Sequence, residues 1–198
     1  VADASAFSPS IATRAQRTDA ALYMYHAPTA VLNKAASFVS MDPSGFTLNF
    51  TTATSEASQV YSLALAGLQT SVGTFTKSTA AAPASQAIAT PFTPGAVFLS
   101  SYQIGPQTAA VRESQCSWSV GAGDGTHEAS SAIVANDAIS PTAVDAIDKT
   151  SKVFIKMNTP PLDAEADLAS FDPSGFTLNW TTNDPVASQM CFFALGKQ

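Results

Sequence analysis

Apolar and polar positions alternate along much of the chain with a period of two. After Asp172-Pro173-Ser174-Gly175, the residues Phe176, Leu178 and Trp180 fall on one side of an extended segment, with Thr177, Asn179 and Thr181 on the other. That pattern of aromatic and β-branched residues predicts a half-buried strand. The tetrad before it has Asp at the first corner, Pro at the second and Gly at the fourth, which predicts a type I turn. Asp42-Pro43-Ser44-Gly45 followed by Phe46, Leu48 and Phe50 repeats the design, so Phe50 and Trp180 read as equivalent core wedges.

Alternation predicts further strands over residues 71–77, 96–99, 114–120, 151–157, 162–171 and 189–195. In the first, Val72, Thr74 and Thr76 oppose Gly73 and Phe75. In 114–120, Cys116, Trp118 and Val120 are expected inward, with Ser117 and Ser119 outward. In 151–157, Val153, Ile155 and Met157 oppose Lys152, Phe154 and Lys156. No segment carries a long stripe at the 3.6-residue helical period. Thr79–Ala89 contains Pro83 among Ser and Thr and reads as a loop. Gly121–Ser140, rich in Gly, Ala, Ser and Asp, reads as a long surface loop. Short strands at regular spacing predict an all-β, antiparallel, jelly-roll-like sandwich.

The chain also repeats itself. Residues 42–52 return at 172–182, an offset of 172 − 42 = 130. The same offset matches Ala57-Ser58-Gln59 with Ala187-Ser188-Gln189, and Ala64-Leu65 with Ala194-Leu195. Upstream it matches Leu32 with Leu162, Ser40 with Ser170, and Tyr23 and Tyr25 with Val153 and Ile155. The expected organisation is an extended N-terminal arm over 1–13, a partial (second-half) β-repeat over 14–67, and a complete sandwich repeat over 68–198. A half unit does not close its own core; it must pack on the full copy, borrow strands from a neighbour or follow a removed upstream portion.

Composition narrows the function. The 198 residues hold 9 Lys and Arg against 15 Asp and Glu, a net charge of −6. A nucleic-acid binder, which draws affinity from clustered cations, is not expected. Charged residues are only 12% of the chain, against roughly 25% in an average domain. The surface is therefore neutral and hydroxyl-rich, a weak guard against association. No apolar run reaches the ~18 residues of a membrane helix, and no basic, then apolar leader opens the chain. Cys116 and Cys191 lie far apart in apolar or alternating stretches and read as two buried thiols.

Candidate chemistry is thin. Gly121-Ala122-Gly123-Asp124-Gly125-Thr126-His127 resembles phosphate- and calcium-binding loops. It lacks the strand–loop–helix setting of the first and the additional acids of the second. His26, which the offset aligns with Lys156, and His127 beside Glu128 are the two histidines. Asp163, Glu165 and Asp167 share one face of a predicted strand, with Asp172 beyond; paired carboxylates of this kind serve glycoside hydrolysis. Their counterparts at the offset are Asn33, Ala35 and Ser37, and a solvent-facing row is the simpler reading. Asn49-Phe50-Thr51 and Asn179-Trp180-Thr181 fit the glycosylation sequon but lie in the repeated strand. No catalytic, cofactor-binding or metal-binding residue is assigned, and no cofactor is expected.

The repeated block, Asp-Pro-Ser-Gly-Phe-Thr-Leu-Asn-Trp-Thr-Thr with Ala-Ser-Gln and a closing Ala-Leu-Gly, resembles a β-domain of tailed-bacteriophage virion proteins. Val72–Thr79, Phe92–Leu99 and Ser119–Thr126 resemble that domain's opening strand, its Pro-containing segment and its Asp-Gly-Thr loop. The resemblance covers residues 71–197 and, as a partial second copy, 15–67. It implies a non-enzymatic structural part of a phage particle, made in the bacterial host cytoplasm. The leading expectation is a capsid decoration (cement) protein on the head surface. Its partners would be the major capsid protein or other virion proteins and further copies of itself, as in a trimer, with no nucleic acid and no membrane. The alternative is a tail or fibre module for host glycan attachment, using Tyr102, Tyr23 or Tyr25; a hydrolase using the 163–167 acids comes third.

Overall fold

A computed structural model describes residues 2–3, 9, 11–17, 19–26, 31–105, 111–112, 115–140, 143–157 and 162–197. These form strands and no helix. In chain order they are β1 (Ala2–Asp3), β2 (Ala12–Arg14), β3 (Leu22–His26), β4 (Val31–Asp42), β5 (Gly45–Thr52), β6 (Gln69–Thr76), β7 (Ala84–Ala89) and β8 (Ala96–Ser101). There follow β9 (Val111–Arg112), β10 (Gln115–Gly123), β11 (Glu128–Asn136), β12 (Val144–Lys149), β13 (Phe154–Lys156), β14 (Ala164–Asp172), β15 (Gly175–Thr182) and β16 (Gln189–Gly196).

Every pairing is antiparallel. Two sheets form the sandwich, one ordered β12-β11-β10-β8-β16-β6 and the other β13-β14-β15-β7. Their facing sides interdigitate in one core: Val97 and Leu99 from β8 and Met190, Phe192 and Ala194 from β16 meet Ala166, Phe176, Leu178 and Trp180 from β14 and β15. Phe176 and Phe192 meet edge to face, with ring centroids 5.8 Å apart, an arrangement favoured by the ring quadrupoles. The remaining sheets are β1-β2-β9 and β3-β4-β5.

Two segments expected as loops are strands. Within Thr79–Ala89, Ala84–Ala89 is β7, which pairs along β15 with Ile88 opposite Phe176; Pro83 stands just before the strand, where its missing N–H costs no ladder bond. Within Gly121–Ser140, β10 runs to Gly123 and β11 starts at Glu128. One face of β11 carries Ser130, Ala132 and Val134 and the other Ala129, Ser131, Ile133 and Ala135, so hydropathy contrast is nearly absent while geometric alternation persists. Ser130, Ala132 and Val134 are buried.

The facing of β10 is the reverse of the expectation. Ser117 and Ser119 are fully buried, whereas Trp118 and Val120 are over a third exposed. Small residues belong inside here because β13 passes close beneath. A Cβ on Gly121 would lie 2.0 Å from the carbonyl oxygen of Val153, and one on Gly123 would lie 3.1 Å from Leu168 and Val153 side-chain carbons. β13 itself is buried on all sides, with Phe154 in the main core and Ile155 packed with Ala132, Val134 and Met157.

Residues 11–17 run across the outer side of the six-stranded sheet. The Ala12 N–H donates to Asp137 Oδ1 (3.0 Å), Arg14 Nη1 to the Tyr102 carbonyl (3.0 Å) and Gln16 Nε2 to Cys191 Sγ (3.6 Å). Cys116 is thereby buried with Ala12 and Ala135, Cys191 is half-buried, and neither forms a disulfide. The described part of the N-terminal arm thus joins the fold, while most of residues 1–10 lie outside the described residues.

Close approach of β13 predicts that Gly121→Ala lowers the unfolding free energy by about 1–3 kcal/mol, the usual cost of overpacking. In urea melts this is expected as an earlier midpoint at unchanged slope; an unchanged midpoint would contradict the packing described.

Candidate interaction surface

β4–β5 and β14–β15 are hairpins of one design. Ala36, Phe38, Met41 and Asp42 stand opposite Phe50, Leu48, Phe46 and Gly45; Ala166, Leu168, Phe171 and Asp172 stand opposite Trp180, Leu178, Phe176 and Gly175. The bulges fall at matching places, before Ala36 and Ala166 and across Phe38/Ser40 and Leu168/Ser170. The turns are braced alike. Asp42 accepts from Ser40 Oγ (2.9 Å) and Thr47 Oγ1 (2.7 Å), and Asp172 from Ser170 Oγ (2.9 Å) and Thr177 Oγ1 (2.8 Å). The Thr47 hydroxyl, then that of Ser40, holds the Asp42 carboxyl below its ordinary pKa.

The strand before each hairpin breaks the 130-residue offset. Tyr23 pairs with Ala35 and Ile155 with Glu165, so Tyr23 corresponds to Ile155, at 155 − 23 = 132. The Ala21 N–H donates to the Ala36 carbonyl (2.8 Å) as the Val153 N–H does to Ala166 (3.0 Å). Lys156 therefore corresponds to Met24, not His26: sequence identity was too thin there to show two residues of difference in the connecting segment.

What differs between the hairpins is cover. Trp180 is 0% exposed, its twin Phe50 50%; Phe38 is 53% and Met41 62% exposed, against partly buried Leu168 and Phe171. The expectation of two equivalent core wedges is thus corrected: Trp180 is one and Phe50 is not. A Cβ on Gly175 would lie 2.1 Å from the Ile88 carbonyl oxygen of β7, while one on Gly45 would meet nothing within 4 Å. Among the described residues β5 pairs with β4 alone, whereas β15 pairs with both β14 and β7.

The open face continues onto the sandwich. Met41 and Phe46 line a groove of about 330 Å³ with Leu63, Leu65, Thr70 and Phe193. From Phe193 an apolar row runs across the outer side of the six-stranded sheet, with Val72 opposite on β6, Phe98 opposite on β8 and Ala122 beyond on β10. The Phe98 and Phe193 rings stack at 6.1 Å. Residues 59–66, the counterpart of β16 at the 130-residue offset, form no strand, and Tyr61 is 85% exposed. Sequence reasoning missed this surface because apolar alternation marks a buried face equally well in a covered and an uncovered sheet.

The candidate chemical groups are absorbed by structure. Glu165 pairs with Lys149 and Asp167 with Lys152 (2.7 Å), so the expected solvent-facing row is instead half-buried and ion-paired. The Lys149 partner depresses the Glu165 pKa. The Asp163 N–H donates to the Lys156 carbonyl (2.9 Å). The glycine-rich segment is the β10–β11 turn, where Asp124 accepts from the N–H groups of Thr126 (2.8 Å) and His127 (2.7 Å). Tyr102 is half-buried, with burial raising its pKa. The Tyr23 hydroxyl donates to the Ala15 carbonyl. The side chains of Tyr25 and His26 lie outside the described residues. No group of three or more His, Cys, Asp or Glu suited to a metal occurs among the described residues.

The unequal cover sets an expected contrast in equilibrium unfolding of the isolated chain. Trp180→Ala should cost about 3–5 kcal/mol as a core truncation, and Phe50→Ala less than about 1 kcal/mol as a surface one. Equal losses would show that the β4–β5 face is covered within a single chain.

Compared with protein-family profiles, curated proteins and solved structures, the chain matches none.

Proposed function

We propose that the protein is a non-enzymatic structural component of a tailed-phage particle, a decoration protein that binds the head shell through subunit interfaces. The observation that carries this reading is the uncovered apolar face of β4–β5, whose twin in the same chain is a core layer. Around Phe38, Met41, Phe46 and Phe50 the described residues place no charge pair, so contact there gains by dehydration of apolar area. The sequence resemblance to virion β-domains supports the particle, and the sparsely charged surface supports repetitive packing in which many weak contacts sum.

The experiment adds purified protein to shells lacking it. Wild type is expected to bind in numbers comparable to the shell's own subunits, with little change across salt concentrations because few charges meet. Phe38→Asp combined with Phe50→Asp, both at exposed positions, should weaken attachment at least about tenfold, equivalent to about 1.4 kcal/mol. Undiminished attachment by the folded double variant would sink the proposed use of this face, and only a few copies per particle would move the protein to the tail.

A further inference from the structure

Lys77, just after β6, has a side chain with 0% exposure. Its Nζ lies 2.5 Å from Asn183 Oδ1, just after β15, and 5.4 Å from the centre of the Trp180 ring. Asn183 is held with its oxygen toward the lysine, because its Nδ2 donates to the carbonyls of Ser78 (3.0 Å) and Ala80 (2.8 Å). Asp184 Oδ1 is 2.9 Å from the same Nζ, and Asp184 Oδ2 is 2.6 Å from Lys156 Nζ. The carbonyls of Ser78 (2.8 Å) and Asp184 (2.9 Å) complete the lysine's surroundings. A buried amine, a fixed side-chain amide and a carboxylate in contact with the amine therefore meet at one end of the sandwich.

We propose that Lys77 and Asn183 condense into an intramolecular amide cross-link between Nζ and Cγ, releasing ammonia, with Asp184 as the proton carrier. An amine attacks only when neutral, and burial beside another cation is the usual way to make it so. Both conditions hold: burial, the larger cause, pushes the Lys77 pKa down, and the Lys156 charge pushes the same way against the pull of Asp184 and, more weakly, Asp163. Asp184 Oδ1 takes one proton from the Lys77 ammonium, and the amine adds to Asn183 Cγ, forming the C–N bond as charge moves to Oδ1. A second proton passes from Nζ to Nδ2, the Cγ–Nδ2 bond breaks, and the departing ammonia takes the proton from Asp184 as ammonium. The carboxylate is restored, no electrons are exchanged, and one buried cation has gone. Asp184, shared between two lysines before the step, is left paired with Lys156 alone. The bond ties β6, the edge strand of one sheet, to the exit of β15 in the other. It does not depend on the proposed particle role.

Intact-mass spectrometry of the purified full chain tests this. The wild type is expected to weigh less than its sequence by one ammonia. Trypsin acting on the unfolded protein should leave Lys77 uncut and yield a branched peptide carrying Lys77 and Asn183. Lys77→Arg, which keeps the charge and removes the nucleophile, should restore the full sequence mass, and Asp184→Asn should leave the pair unreacted. A wild-type chain at full sequence mass that is cut after Lys77 overturns the cross-link and leaves Lys77 a structural cation. An Asp184→Asn chain that still loses ammonia overturns the role given to Asp184. The wild-type measurement decides the main point even if a variant fails to fold.

Discussion

A hairpin with large apolar side chains on one side is stable only when a second layer lies against that side. This requirement governs the whole molecule. The β14–β15 hairpin meets it inside the chain, where β8 and β16 supply Val97, Leu99, Met190 and Phe192. The β4–β5 hairpin has the same register, bulges and turn bracing, yet among the described residues its large apolar side chains stay exposed. Leaving Phe38, Met41, Phe46 and Phe50 about half wet forfeits roughly 1 kcal/mol each, taking half of the usual gain for a fully buried side chain. Against a typical net stability of about 5–15 kcal/mol, that loss is large enough to make cover by another surface a strong driving force for association.

The same rule explains the inverted β10. A sandwich usually fills its interior with bulky side chains from both layers, but β13 brings backbone, not only side chains, against β10. Glycine and serine at 117, 119, 121 and 123 make room for it, and the large residues Trp118 and Val120 go outside. Interior space, once taken by main chain, displaces aromatic surface to the exterior. The apolar row through Val72, Phe193, Phe98 and Ala122 lies on that same exterior side.

Much of the fold was legible in the sequence, because the turn tetrads and period-two alternation act locally. The turns and following strands at 42–52 and 172–182, the closing strand over 189–195 and the all-β class follow from them directly. The sidedness of β10 was not legible: alternation fixes that residues alternate but not which set faces in, and buried serine looks like surface serine. β7 and β11 were missed because Ala and Ser give little contrast between faces. The interaction surface was hidden for a different reason, since exposure of Phe50 depends on whether another layer packs against it, a long-range property that no local motif encodes. Nor could spacing alone reveal the Lys77–Asn183–Asp184 cluster, whose members are separated by 106 residues or more from Lys77.

Charge distribution links these observations. Of the nine lysines and arginines in the chain, Lys77, Lys149, Lys152 and Lys156 are committed to pairs within the sandwich. Lys149 to Glu165 spans from the six-stranded to the four-stranded sheet, and Lys77 to Asp184 joins segments that leave the same two sheets. Such pairs add little net stability when exposed, and when buried their desolvation offsets most of the attraction. Their larger consequence is subtractive: cations held between the layers are not available to the outer faces. Mutual repulsion and hydration of surface ions ordinarily keep like sheets apart. A chain with only nine cations, four of them paired within the sandwich, has few strongly hydrated cations to oppose burial of its outer apolar row and its open hairpin.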